Sequence, residues 1–131
     1  MTTILVDHDM EGQAVVLRGS LAAEGWLDLL PLQLITLADA GLPIESDDRK
    51  VWRFCQENQM LLLTNNRSMK DPDALEQVIR EENTESSWPV LTVGNSKRMY
   101  EREYREACAV RLLEIVMNLQ NYFGAGRVYI P

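Results

Sequence analysis

The chain carries a single histidine, His8, and only two cysteines, Cys55 and Cys108, in 131 residues. One imidazole and no CxxC spacing leave no basis for a Cys/His zinc site or a disulfide framework. Both cysteines fall inside apolar helical patterns and read as buried thiols of a reducing compartment. The glycine signatures of nucleotide and hydrolase folds are missing too. No GxGxxG, no GxxxxGK followed by Ser or Thr, and no GxSxG occurs. Dinucleotide, P-loop and nucleophile-elbow chemistry therefore lack support. Around the lone histidine no nucleophile–base pairing is visible, which leaves acyl transfer without footing. No apolar run approaches the ~20 residues that cross a bilayer. Met1-Thr2-Thr3 leads straight into an apolar strand, with no charged leader region. These absences predict a soluble, cytoplasmic protein.

Basic charge is scarce as well: 13 Lys and Arg stand against 20 Asp and Glu, a formal net charge of -7. A general electrostatic grip on a nucleic-acid backbone needs the opposite sign over at least one face. The imbalance is uneven. Residues 1–65 carry ten acids and four bases (net -6), whereas residues 66–131 carry ten acids and nine bases (net -1). Lys97, Arg98, Arg102 and Arg105 cluster in the second half. They suit either the basic border of an acidic crevice or the solvated face of an amphipathic helix. The length, with 46% hydrophobic and 25% charged residues, fits one globular domain over residues 1–131.

What the sequence does have is a recurrence of Asp or Asn where apolar runs stop. Asp7 and Asp9 follow Ile4-Leu5-Val6, Asn65 and Asn66 follow Met60–Thr64, and Asn95 follows Val90–Gly94. Short, wholly apolar runs are strands buried on both faces of a parallel sheet. In an open α/β sheet the carboxyl ends of the strands form the ligand crevice, so these polar groups should converge there. Converging carboxylates suit a hard cation such as Mg²⁺ or Mn²⁺. Metal-dependent phosphoryl transfer is the first hypothesis.

The remaining pattern alternates. Helices are predicted from about Gln13 to Glu24, ended by Gly25, over Leu34–Ala40, and from the Ser46-Asp47-Asp48 cap. Another should start at Asp71-Pro72 and run to about Glu82. The longest should open at Ser96, with Tyr100, Tyr104, Cys108, Leu112, Ile115 and Leu119 on one apolar face. Strands are predicted at Ile4–Val6, Trp26–Leu30, Met60–Thr64, Trp88–Val93 and Arg127–Pro131. The expected fold is an α/β three-layer sandwich around a mostly parallel sheet of four or five strands. Ile4–Val6, Met60–Leu63 and Trp88–Val93 should be neighbours in its interior.

Each candidate site residue has a plain alternative. Asp7 or Asp9 could simply cap the following helix, Asp47 and Asp48 are favoured first-turn residues, and Asn65 and Asn66 suit a turn. His8 could ligate a metal or stand as an exposed polar residue. Arg67 and Lys70 could hold a phosphate or be solvated loop cations.

The succession Ile4-Leu5-Val6-Asp7, Ser46-Asp47-Asp48-Arg49-Lys50-Val51 and Met60-Leu61-Leu62-Leu63-Thr64-Asn65-Asn66 resembles the PIN-like nuclease superfamily. It is most similar to the short standalone prokaryotic PIN-like proteins, and the likeness covers most of residues 1–95. The resemblance implies metal-dependent hydrolysis of RNA or DNA phosphodiesters, often as the toxin of a toxin–antitoxin pair. An RNA substrate and an antitoxin-like protein partner come with it, and a homodimer is a separate expectation. It makes Asp7 the first metal-binding acid and Asp47 the second. The third acid falls on Asn66 and the next acidic position on Ser68, which removes two negative charges. Asp9 or Glu11 stands near enough in sequence to substitute. The expectation is a Mg²⁺ or Mn²⁺ endoribonuclease of weak activity, with Asp7, Asp47 and Asn66 as the catalytic set. The alternatives are a catalytically inactive binding or oligomerisation module, or a phosphatase-like or small-ligand enzyme on the same sheet.

Overall fold

Alternation along the apolar strands distributes their side chains to two opposite cores. The computed structural model describes residues 1–67, 72 and 74–131. Ser68, Lys70 and Asp71, singled out above as a lost acidic position, a phosphate ligand and a helix cap, lie outside the described residues. Strands β1 (Thr2–Val6), β2 (Leu32–Ile35), β3 (Leu61–Thr64), β4 (Val90–Thr92) and β5 (Arg127–Tyr129) form one parallel sheet in the order β2-β1-β3-β4-β5. Among the described residues the expected α/β architecture is present, and β1, β3 and β4 are neighbours in its interior.

Helices α1 (Glu11–Ala23) and α5 (Arg102–Met117) cover one face, and α3 (Asp48–Glu57) and α4 (Leu75–Glu82) the other. Ile4, Val6, Leu61, Leu63 and Leu91 point into the α1/α5 core, while Leu5, Leu62 and Val90 point into the α3/α4 core. That is the period of two expected of a pleated strand. Each fully buried aliphatic side chain contributes about 1.5–3 kcal/mol. A one-residue slip of β1 would exchange its two faces, so the register Ile4↔Leu61, Val6↔Leu63 is strongly specified.

Several boundaries differ from the sequence-based expectation. Trp26–Leu30 is not a strand: Trp26–Leu29 forms a short helix, α2, entered from Gly25 in the left-handed region (φ +78°). The strand starts after Pro31, whose carbonyl accepts the Thr2 N–H at 3.2 Å. It takes in Leu34 and Ile35, so no helix covers Leu34–Ala40 and turns follow β2 instead. The longest helix begins at Arg102, not Ser96. Ser96–Tyr100 is a 3-10 helix, and extended Glu101 separates it from α5. Tyr100 is consequently exposed, while Tyr104, Cys108, Leu112 and Ile115 are buried. Helix α4 starts at Leu75, later than the Asp71-Pro72 signal suggested.

Candidate functional site

The strand order places a switch point between β1 and β3. From β1 the chain moves outward to β2, then crosses back to β3 on the other side of β1, with α1 and α3 on opposite faces. Ligands of open α/β sheets bind beyond the carboxyl ends of the strands at such a point. Asp7 stands there as the residue after β1, and its N–H donates to the Leu63 carbonyl at 2.9 Å. From β3, Thr64 and then Asn65 and Asn66 arrive at the same edge.

These residues are joined by hydrogen bonds. The fully buried Thr64 hydroxyl donates to Asp7 Oδ2 at 2.8 Å and accepts the Asn66 N–H at 3.0 Å. Asn66 Nδ2 donates to Asp48 Oδ2 at 2.9 Å. The same Asp48 oxygen accepts the Leu75 N–H at 3.0 Å, capping α4 from another helix. Asp7, Thr64, Asn66 and Asp48 thus form one chain of contacts across the switch point. The amide-to-carboxylate bond is charge-assisted, in the class that contributes about 1.5–3 kcal/mol.

A third tether comes from β5. Arg127 Nη1 donates to the Asn66 carbonyl at 2.7 Å and to the Thr92 hydroxyl at 2.8 Å, and its Nε pairs with Glu76 at 3.3 Å. Thr92 is the register partner of Thr64 and equally buried. Asn66 is therefore held at its N–H, its carbonyl and its side-chain amide. Nη2 of Arg127 is buried without a hydrogen-bond partner among the described residues. Sequence reasoning missed Thr64, Thr92 and Arg127. The available signal was a hydroxyl at the last position of β3 and of β4, and a charged residue opening the short run Arg127-Val128-Tyr129-Ile130.

The other candidates sit as follows. Asp47 is the N-cap of α3: its Oδ1 accepts the Lys50 N–H at 2.8 Å, and its side chain faces solvent. The middle-helix acid bonded to Asn66 is its neighbour Asp48. Asp9 is exposed in a 3-10 turn (His8–Met10) and shares no hydrogen bond with the Asp7–Asp48 chain. Exposed His8 pairs through Nδ1 with Glu11 at 2.6 Å. Arg67 is exposed directly after Asn66. Asn65 Nδ2 donates to Ser96 Oγ at 3.0 Å, which ties the β3 end to the turn after β4. Within the basic cluster, Arg98 pairs with Glu101 and lies over the Tyr104 ring, and Arg102 pairs with Glu106. Arg105 donates to Ser20 and to two backbone carbonyls.

The donor set for a hard cation is thin. Among the described residues no three His, Cys, Asp or Glu side chains gather as a metal-holding group. Two carboxylates and an amide oxygen are short of the oxygen shell that Mg²⁺ completes, so water would supply the rest. Asp7 keeps Oδ1 without a hydrogen-bond donor among the described residues. Comparison of the chain with family models, curated proteins and solved structures returns no match. No helix among the described residues is long and apolar enough to cross a membrane.

Proposed function

We propose that this chain is a PIN-like domain related to the metal-dependent ribonucleases, with a depleted acidic site of low turnover on RNA. The observation that supports the reading is the Asp7–Thr64–Asn66–Asp48 chain at the switch point. Asp7 and Asp48 would hold Mg²⁺ or Mn²⁺, and the bound cation would offset charge on the phosphodiester and acidify its water. Thr64 fixes the orientation of the Asp7 carboxylate, and Asn66 fixes that of Asp48. Exposed Arg67 offers a cation for a substrate phosphate beside them. Low turnover follows from Asn66. A neutral amide stands where a carboxylate would add charge to the cation shell, and it keeps an Asp48 oxygen engaged as an acceptor. A cytoplasmic setting, an antitoxin-like partner and a homodimer belong to the same proposal.

A second reading, an inactive binding or oligomerisation module, is favoured by one specific feature. Asp48 Oδ2 serves two N–H groups, one of them the capping bond to α4, and so has a structural role without any metal. Incubation of the purified chain with single-stranded RNA and Mn²⁺ separates the two. Slow cleavage that disappears on Asp7→Asn supports the nuclease reading. No cleavage above a metal-free control at high enzyme concentration favours the inactive module.

A further inference from the structure

At the opposite end of the sheet, where the strands begin, the end of α3 and the segment before β4 enclose a cleft of about 470 Å³. Trp52, Gln59, Thr84, Ser86 and Trp88 line it, with Gln56 and Glu82. We infer that this cleft binds a neutral ring bearing hydroxyl groups: a saccharide, or the ribose of a nucleoside.

The cleft's one acid is already neutralised. Glu82 accepts from Arg53 and from Arg49, and Arg49 also pairs with Glu81 at 2.8 Å, so two guanidiniums stand against two carboxylates and an ionic ligand finds no unmatched charge there. The aromatic wall is pre-organised. The Gln56 amide clamps the Trp88 backbone from both sides, with Nε2 to the carbonyl at 2.9 Å and the Trp88 N–H to Oε1 at 2.7 Å. The Trp88 indole is further fixed edge-on against Phe123 at 5.3 Å. One donor awaits an acceptor: Trp52 is 4% exposed and its indole Nε1 has no hydrogen-bond partner among the described residues. A buried N–H without an acceptor is destabilising, and bulk water does not reach this atom to compensate it.

The cleft also holds a side chain in a conformation that glycine would adopt at less cost. Gln59 has φ +55°, the only positive value at a non-glycine among the described residues, where it follows the end of α3. Its exposed side chain makes no hydrogen bond among the described residues, so its amide is available to a ligand in the cleft. Hydroxyls at Thr84 and Ser86 and the Gln59 amide both donate and accept. That mixture matches ring hydroxyls, which do the same, while the C–H face of such a ring packs on an indole.

The test follows the three indole N–H signals (Trp26, Trp52, Trp88) of the ¹⁵N-labelled chain during titration with methyl glucoside, N-acetylglucosamine or adenosine. The expected result is saturable, millimolar binding that moves Trp52 and Trp88 and leaves Trp26 in place. A response to adenosine that free adenine does not reproduce supports the proposal with ribose as the source, a response that adenine reproduces overturns that source, and a response to either sugar supports it with a saccharide. Trp52→Phe keeps the ring and removes the donor. It should weaken binding about tenfold, read at Trp88, as loss of one hydrogen bond requires. Gln59→Ala, at an exposed position, supplies a second variant and should also weaken binding. No response to any of the three probes, or undiminished affinity in Trp52→Phe and Gln59→Ala, overturns the proposal.

Discussion

Replacing Asn66 by Asp converts the centre of the switch-point chain from attraction to repulsion. In the wild type, Asn66 Nδ2 lies 2.9 Å from Asp48 Oδ2. The variant puts an oxygen there instead. The lost charge-assisted hydrogen bond is worth about 1.5–3 kcal/mol. Two like charges near 3 Å repel by about 5 kcal/mol at an effective dielectric of about 20, and by little more than 1 kcal/mol at the bulk-water value. Both residues are half-buried, so the side chains can part and solvent screens what remains. A net loss of about 3 kcal/mol is expected, which for a chain of this size lowers the melting temperature by roughly 10 °C. On the proposed metal-site reading, the same carboxylate would add a third acid to Asp7 and Asp48. A divalent cation at a hundredfold excess over its dissociation constant then returns about 2.7 kcal/mol. Thermal melts with and without Mn²⁺ read both halves of the argument. A variant as stable as wild type without cation would show that the amide does not hold Asp48. A deficit that Mn²⁺ leaves untouched would show that the three carboxylates do not share a cation.

Gly124→Ala should be among the most damaging small substitutions. Its φ is +86° and an added Cβ would sit 2.9 Å from the Glu85 backbone, so a loss of about 3 kcal/mol in urea unfolding is expected; an unchanged midpoint would contradict the backbone geometry. Burial pushes the thiols of Cys55 and Cys108 up to about 12. Neither should react with an aromatic disulfide reagent at pH 8 in the native chain, and both should react in denaturant; rapid native labelling would place a thiol at the surface. The Arg53 and Arg49 guanidiniums hold the Glu82 carboxyl below its ordinary value. Its contribution is therefore present above the unfolded-state value of about 4.3 and is lost as pH falls through the lower folded-state value. Glu82→Gln should flatten the acid side of the stability profile, and an acid limb parallel to wild type would count against the network.

The interior of the sheet was legible because β1, β3 and β4 are apolar runs closed by polar residues, a pattern that a doubly covered parallel strand requires. The second strand was not. Trp26–Leu30 and Leu32–Ile35 are each apolar but for one residue, Asp28 and Gln33, and only the pairing of Thr2–Leu5 with Leu32–Ile35 decides between them. The convergence of Asp7 with Asn66 followed from strand ends alone. Which acid of Asp47-Asp48 bonds to Asn66 did not. One residue separates a carboxylate turned back on its own helix from one reaching α4 and Asn66. Arg127 was beyond reach for a different reason: its contact with Asn66 joins residues 61 apart, and no local pattern encodes it.

Calorimetric titration of Mn²⁺ into the wild-type chain and three single variants tests the metal-site reading most directly. Weak binding to wild type is expected, since two carboxylates supply fewer anionic oxygens than a hard cation prefers. Asp7→Asn and Asp48→Asn should each abolish it, whereas Asp47→Asn should leave it unchanged, because the Asp47 carboxylate is spent on the Lys50 N–H. Binding that survives Asp7→Asn, or that is lost only in Asp47→Asn, would contradict a cation site at the β1–β3 switch point.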